Sequence, residues 1–178
     1  MRNEDSDLDN GEKKVILVFD TAGFLAKYHL YVSAKNIEIY TVPRVLEEVK
    51  DRESLNALEA GLVVGRVKVF KPSQSSKKSV AEKAKAIGEY ISLTETDLEV
   101  AALAYELKST HEVVVITDDY SLQNLLLSLG IPFKPLRTYG VKELRTYLVY
   151  CKNCGYVSPS GEELLCPICG SRLTRKKH

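Results

Sequence analysis

The amino-acid sequence of 178 residues predicts an α/β sandwich around a mostly parallel sheet of about five strands, followed by a small cysteine-rich β module. Three observations lead to this prediction. Short apolar runs rich in β-branched residues alternate with stretches of helical periodicity, which is typical of parallel strands joined by helices. Hydrophobic residues make up 44% of the chain, enough for a substantial core. All cysteines lie between positions 151 and 169, apart from the alternating segments.

Five segments have the pattern of β-strands. They are residues 15–19, 37–42, 66–70, 112–117 and 131–135. The first (VILVF) and the fourth (EVVVIT) are nearly continuous apolar runs, which indicate strands buried on both faces of a parallel sheet. The fifth contains Pro132 and Pro135, and we expect it at an edge of the sheet because proline donates no backbone hydrogen bond.

Helical patterns fill the intervals between these strands. The predicted helices are residues 21–28, 43–50, 52–63, 79–90, 94–108 and 119–129. Pro43 stands where the second helix begins, a position at which its missing N–H has no helical partner to lose. The clearest helix is the fifth, in which Val100, Leu103 and Leu107 recur at helical spacing. Gly130 ends the last helix.

Charge is unevenly distributed, although the formal net charge is only +1. Residues 1–12 form an acidic tail, which we expect to be disordered. A basic segment at about 71–79 (KPSQSSKKS) is predicted to be a flexible loop, and the chain ends in a second basic cluster. The candidate phosphate contacts in these two segments are Lys71, Lys77, Lys78, Arg172, Arg175, Lys176 and Lys177. The plainer interpretation, that these side chains only solvate a loop and a chain end, stays open.

The domain organisation follows from these patterns. We place an α/β domain of ordinary size at residues 13–140, and a linker with the cysteine module at residues 141–178. No apolar run approaches the roughly 18 residues that a membrane span requires, so we expect no membrane association. No apolar signal segment is visible, and the expected location is cytoplasmic.

The cysteines form two Cys-x-x-Cys-Gly units separated by eleven residues. They are Cys151, Cys154, Cys166 and Cys169. Zn²⁺ prefers a tetrahedron of thiolates, and each unit places two sulfurs on one side of a tight loop, so the spacing predicts a four-thiolate zinc ribbon. An iron–sulfur site could use the same ligands. Two disulfides or a redox-active pair fit less well, because no signal segment is visible and a redox pair needs only one such unit.

Acidic residues occur where the strands end, at the edge at which open α/β sheets bind ligands. Asp20 closes the first strand, Glu48 lies in the helix after the second, and Asp97 opens the helix before the fourth. Asp118 and Asp119 follow the fourth strand. Two like charges 4 Å apart repel by about 4 kcal/mol at an effective dielectric constant of about 20. A hard divalent cation relieves this repulsion, and Mg²⁺ and Mn²⁺ both take oxygen ligands.

Each acid also has a purely structural interpretation. Asp20 and Asp119 precede predicted helices, where aspartate accepts hydrogen bonds from unpaired N–H groups. Asp97 has the last position of a Thr-x-x-Asp capping box, and Glu48 is one of two adjacent helix acids, the other being Glu47. Capping does not exclude metal binding, because one carboxylate has four lone-pair sites. Both interpretations stay open for each residue, but the joint placement favours a metal site.

Four segments, in order along the chain, resemble a PIN domain. They read VFDTAGF from Val18, VPRVLEEV from Val42, TDLEVAALA from Thr96 and ITDDYSLQN from Ile116. The resemblance covers about residues 13–136. It implies a PIN-like α/β/α sandwich and the Mg²⁺- or Mn²⁺-dependent ribonuclease activity of that family.

The resemblance also implies which acids are catalytic. By position, Asp20, Glu48 and Asp97 match the acids of the family. The family pattern Thr-x-Asp selects Asp119 as the fourth acid and leaves Asp118 as its substitute. The catalytic cation would then be bound by the three aspartates Asp20, Asp97 and Asp119, with help from the glutamate.

A PIN domain joined to a zinc ribbon further resembles the Nob family, the endonuclease that forms the mature 3′ end of small-subunit ribosomal RNA. This implies an endoribonuclease for single-stranded RNA, with precursor ribosomal RNA and proteins of the pre-ribosomal particle as partners. A non-catalytic assembly factor with a vestigial acidic cleft is the second hypothesis, and the presence of all four acids favours the enzyme. A flap-type DNA nuclease is more distant, because that related fold usually has more acids and a helical clamp.

Overall fold

The computed structural model describes residues 14–34 and 36–178, so the acidic segment predicted to be disordered lies outside the described residues. Five strands form one sheet: Val15–Phe19 (β1), Ile37–Thr41 (β2), Val67–Val69 (β3), Glu112–Ile116 (β4) and Phe133–Lys134 (β5). Their order is β3-β2-β1-β4-β5, and every neighbouring pair is parallel. The predicted α/β fold with a parallel sheet is therefore confirmed.

The described residues also form six α-helices. They are Thr21–Leu25 (α1), Pro43–Glu48 (α2), Arg52–Val63 (α3), Gln74–Ala86 (α4), Glu95–Leu107 (α5) and Tyr120–Ser128 (α6). Short 3₁₀ turns lie at Tyr28–Leu30 and Tyr90–Ser92. Within the part of the chain that the structure describes, no helix is both long and apolar enough to cross a membrane.

The predicted flexible loop at about 71–79 is wrong for most of its length, because α4 begins at Gln74 rather than at residue 79. Ser73 caps this helix: its hydroxyl accepts a hydrogen bond from the N–H of Ser76 at 3.2 Å. The N–H of Ser73 in turn donates to Glu106 of α5 at 2.8 Å. Serines have low helix propensity in isolation, but a capped first turn anchored to a neighbouring helix outweighs that preference.

The strands β1 and β4, which are neighbours in the interior of the sheet, are the ones whose sequences predicted burial on both faces. Val18 and Phe19 of β1 and Val115 of β4 have no exposed surface. The short strand β5 lies at one edge of the sheet, as its prolines indicated. Phe19 pairs in register with Ile116. The two residues that follow these strands, Asp20 and Thr117, therefore leave the sheet side by side.

A second sheet lies in the C-terminal part of the chain. It consists of two antiparallel strands, Tyr147–Tyr150 (β6) and Thr174–Lys177 (β7). Val149, Cys151, Cys166 and Leu173 form a small core of its own. The connection between the two sheets, residues 135–146, contains no helix or strand. The division that we predicted near residue 140 falls within this connection and stays a prediction.

Candidate active site

Asp20 is a buried carboxylate at the carboxyl end of β1, with 7% of its surface exposed. Its Oδ2 accepts a hydrogen bond from Thr117 Oγ1 at 2.8 Å. Its Oδ1 accepts a second bond, from the N–H of Thr21 at 2.6 Å, and caps α1. The capping role considered for this residue is therefore real, and each oxygen still has a lone pair for another ligand.

The pKa of Asp20 is shifted far from its ordinary value. Burial raises this pKa from 3.8 to about 6, against the opposing hydrogen bonds, and the negative charges of Asp97 and Glu48 add to the rise. A carboxylate in such surroundings loses hydration without gaining a basic partner, so its ionised form is costly at neutral pH. A divalent cation would remove this cost.

Glu48 ends α2 and is held by two threonine hydroxyls. Its Oε2 accepts a hydrogen bond from Thr21 Oγ1 at 2.6 Å, and its Oε1 accepts one from Thr96 Oγ1 at 2.5 Å. Each threonine is the chain neighbour of one of the site aspartates, so Glu48 joins the two segments that carry them. These bonds favour Glu48 over Glu47 as the glutamate of the site.

Asp97 forms the capping box that its spacing predicted. Its Oδ2 accepts hydrogen bonds from the N–H and the Oγ1 of Thr94, both at 2.7 Å, and Thr94 Oγ1 accepts one from the N–H of Asp97 at 3.2 Å. Burial raises the pKa of Asp97, and the charges of Asp119 and Glu48 contribute to the rise. The carboxylates therefore lie close enough to repel one another, even though Asp97 also caps α5.

Asp118 has a different environment from the other acids. Its Oδ1 accepts hydrogen bonds from the backbone N–H groups of residues 136–138, at 2.8, 2.9 and 3.2 Å, and from Thr138 Oγ1 at 3.3 Å. Partial burial acts to raise its pKa, but these bonds outweigh burial and lower it. Asp118 therefore anchors the chain after β5.

Asp119 caps α6, with its Oδ1 accepting a hydrogen bond from the N–H of Leu122 at 2.7 Å. The N–H of Asp119 donates to Thr117 Oγ1 at 3.1 Å, so the same hydroxyl contacts both Asp119 and Asp20. The negative charge of Asp119 also contributes to the raised pKa of Asp97, so Asp119 lies near the other acids. This favours Asp119 over Asp118 as the fourth acid of the cluster.

The cluster of acids is more open than a closed metal cage. Among the described residues, the four cysteines are the one group of three or more metal-binding side chains whose ligand atoms all lie within 4.8 Å of one another. Carboxylates that repel one another are expected to stand further apart than this. Such an arrangement fits Mg²⁺ or Mn²⁺, because these ions keep several waters and bind few carboxylates directly.

We expect the protein, in buffer without divalent cations, to gain stability against unfolding through Asp20 as the pH falls from about 7.5 to about 5.5. Its folded-state pKa of about 6 lies above the ordinary value of 3.8. The folded state therefore binds a proton that the unfolded state does not, and the stabilisation is lost as the pH rises through 6. The gain at pH 5.5 is about 1 kcal/mol, or about 2–4 °C in Tm.

Thermal melting of the wild type and of Asp20→Asn at both pH values measures this contribution. The asparagine cannot titrate, so only the wild type has the extra gain. Groups that are not coupled to Asp20, such as the buried His29 with its lowered pKa, act equally in both proteins and cancel in the difference. An identical pH dependence of the two proteins would contradict the raised pKa of Asp20.

The four cysteine sulfurs fit a tetrahedral metal site. The Sγ atoms of Cys151 and Cys169 are 3.5 Å apart, and those of Cys154 and Cys166 are 3.4 Å apart. A zinc tetrahedron with Zn–S bonds of about 2.3 Å has sulfurs about 3.8 Å apart. These distances are too long for disulfide bonds, which measure about 2.05 Å. The glycine after each unit has a positive φ, +80° and +71°, which lets its loop turn back tightly.

The predicted phosphate contacts differ in their surroundings. The exposed ones are Lys71, Lys78, Arg172, Lys176 and Lys177. Lys77 is partly buried and forms a salt bridge with Glu99 at 2.5 Å. Arg175 differs from the exposed residues, because its guanidinium is engaged inside the chain with the buried Glu89 and with Ser121, and its predicted phosphate contact stays a prediction.

Arg44 is a basic residue beside the acids that the sequence patterns did not single out. It is exposed and lines one cavity with Glu47 and Glu48 and a second with Lys71 and Lys77. The sequence did contain one signal for Arg44: it stands four residues before Glu48, which places both side chains on the same face of α2. Arg44 therefore lies between the acidic cluster and the basic segment, where it forms salt bridges with Glu95 and Glu99.

The parallel sheet with acids at its carboxyl edge, followed by a four-cysteine module, defines a PIN-type nuclease. A family described as the PIN domain of ribonuclease matches residues 17–107. The Endoribonuclease Nob1 of Methanothermobacter thermautotrophicus is 38% identical over 162 residues, which cover 90% of this chain and 92% of that one. The Endoribonuclease Nob1 of Pyrococcus abyssi is 40% identical over 162 residues, which cover 89% of this chain and 91% of that one.

A more distant relative comes from a eukaryote. The 20S-pre-rRNA D-site endonuclease NOB1 of Saccharomyces cerevisiae is 32% identical over 92 residues, which cover 52% of this chain and 20% of the yeast protein. The coverage of the archaeal relatives is nearly complete, and the chain belongs to the Nob1 family of PIN-domain endoribonucleases. It is a metal-dependent endoribonuclease, as the sequence predicted, and the hypothesis of a vestigial cleft is not favoured.

Proposed function

We propose that this endoribonuclease forms the mature 3′ end of small-subunit ribosomal RNA by hydrolysing a phosphodiester bond in single-stranded precursor RNA. The observation that supports catalysis at this site is the buried Asp20, whose pKa of about 6 reflects burial beside two further carboxylates. The printed name of the yeast relative, a D-site endonuclease of 20S pre-rRNA, supports the choice of substrate.

We assign the roles of the acids from their contacts. Asp20, Asp97 and Asp119 hold the catalytic cation, Mn²⁺ or Mg²⁺. Glu48 fixes the distance between Asp20 and Asp97, because it accepts hydrogen bonds from their chain neighbours Thr21 and Thr96. Thr117 orients Asp20 and the start of α6. A cation held there would supply an activated water and a positive charge against the scissile phosphate. Glu48 and Thr96 line an open cavity beside the acids, which a single strand with an accessible phosphate can reach.

The remaining assignments concern binding. The four cysteines hold a structural Zn²⁺, because their sulfurs have the spacing of a thiolate tetrahedron. Arg44 and Lys71 contact the RNA backbone beside the acids, and the exposed basic residues of the ribbon contact it further away. The partners are precursor ribosomal RNA and proteins of the pre-ribosomal particle, and the proposed location is the cytoplasm.

Cleavage mapping tests the proposed substrate. A labelled RNA that spans the 3′ end of small-subunit ribosomal RNA and its downstream spacer is incubated with the full chain and Mn²⁺, Mg²⁺ or EDTA. We expect one principal cut at the mature end with a divalent cation and none with EDTA. The same RNA with an oligonucleotide annealed across the site is the matched control and should resist cleavage. Scattered cuts, or binding without cleavage, would contradict the proposal.

A further inference from the structure

A charged cluster joins the ribbon to the nuclease domain, and the proposed function does not use it. Arg175 of β7 forms an ion pair with Glu89, the residue before the 3₁₀ turn Tyr90–Ser92. Its guanidinium also donates a hydrogen bond to Ser121 Oγ at 3.1 Å and lies over the ring of Tyr147, 4.6 Å from its centroid. Because Glu89 is 1% exposed, this pair is shielded from water. Removing either partner of a shielded ion pair is strongly destabilising, because the other charge is then buried without a counter-charge.

Asn124 of α6 completes the cluster. Its Nδ2 donates to Glu89 Oε1 at 2.8 Å and to the carbonyl oxygen of Arg145 at 2.7 Å, and its Oδ1 accepts from the N–H of Arg145 at 2.8 Å. Asn124 is itself 2% exposed. One buried amide therefore binds helix α6 to the segment of Glu89 and to the chain that leads into the ribbon.

Two of the segments joined by this cluster carry acids of the active site. Ser121 lies in the first turn of α6, two residues after Asp119, which caps that helix. Glu89 precedes the turn that leads into the capping box of Asp97. The carboxylates of Asp97 and Asp119 repel each other, and the guanidinium of Arg175 contacts both segments.

We propose that Arg175 is a positioning residue, through which the docked ribbon sets the spacing of Asp97 and Asp119 and so the affinity of the nuclease for its divalent cation. The inference rests on the proposed cation site formed by these acids. The ribbon then has a role in catalysis that is separate from any contact it makes with RNA.

The test compares variants of the full chain. In Arg175→Ala we expect the dissociation constant for Mn²⁺ to rise about tenfold and kcat to fall to a similar extent, since residues that orient metal ligands typically contribute this much. KM for RNA and the zinc content should change little. Arg175→Lys retains the charge beside Glu89 but loses the planar fork, and should restore part of the affinity.

The matched control is Arg145→Ala. It removes the same side-chain type from an exposed position at this interface and leaves the backbone bonds to Asn124 in place. We expect unchanged Mn²⁺ affinity and kcat. Ser121→Ala removes only one hydrogen bond, should fold in any case, and should give a smaller change of the same sign as Arg175→Ala.

Each outcome decides the inference. Mn²⁺ affinity as strong in Arg175→Ala as in Arg145→Ala would overturn it, and a rise in KM alone would make Arg175 a phosphate contact instead. If Arg175→Ala does not fold, unchanged Mn²⁺ affinity in Ser121→Ala overturns it. A wild type that binds no Mn²⁺ at all would remove the proposed cation site itself, a different result from equal binding by wild type and variant.

Discussion

Replacing Asp20 by asparagine is expected to abolish RNA cleavage, with a fall in kcat of about 10³-fold or more, because a metal-bound transition state loses several kcal/mol of stabilisation. Asparagine has the shape of aspartate and can still accept the hydrogen bond from Thr117, but it has no charge to hold a cation. RNA affinity should stay within about twofold, since backbone contacts depend on the cationic side chains. Single-turnover cleavage and fluorescence anisotropy with one labelled RNA measure the two quantities separately.

Asp118→Asn is the matched variant, since it removes the same charge close to the same edge of the sheet. The carboxylate of Asp118 accepts backbone hydrogen bonds from residues 136–138, and an asparagine oxygen can keep part of them. We expect a lower Tm and retained cleavage. The assignment fails if Asp20→Asn cleaves RNA normally in metal-controlled buffer, or if Asp118→Asn is the inactive protein of the two.

The sequence predicted the sheet well because its central strands are continuous apolar runs, a pattern that few other elements share. It also predicted that residues at the ends of β1 and β4 lie together, since residues that follow neighbouring parallel strands meet at one edge. Asp20 and Thr117 illustrate this: 97 positions apart in sequence, they are joined by a hydrogen bond because β1 and β4 pair in register.

The sequence was insufficient where tertiary contacts decide the outcome. The serines around Ser73 have low helix propensity, and only the contact with Glu106 of the neighbouring helix shows why α4 begins there. The choice between Asp118 and Asp119 depended on where the chain after β5 lies. Arg175 looks like any basic residue near a chain end, and only the folded chain brings it to Glu89. Local patterns contain no information about such partners.

The ribbon should lose its structure when its metal ligands are removed. In the double variant Cys151→Ser and Cys154→Ser, we expect the loss of zinc and the unfolding of the β6–β7 module, because zinc binding of about 10–16 kcal/mol is the main stabilisation of so small a domain. The main sheet should stay folded, since its core is separate from that of the ribbon. Zinc analysis and far-ultraviolet circular dichroism measure both effects.

The same double variant separates the contributions of the ribbon to RNA binding. Loss of the three exposed contacts Arg172, Lys176 and Lys177 should lower affinity at least about tenfold and reduce the slope of log affinity against log salt by about 2. Ile168→Ser is the control, because it introduces serine at an exposed position in the second cysteine loop and leaves all four sulfurs in place. If the double variant binds RNA with the affinity and salt slope of the control, the ribbon does not contact RNA and serves instead to dock proteins.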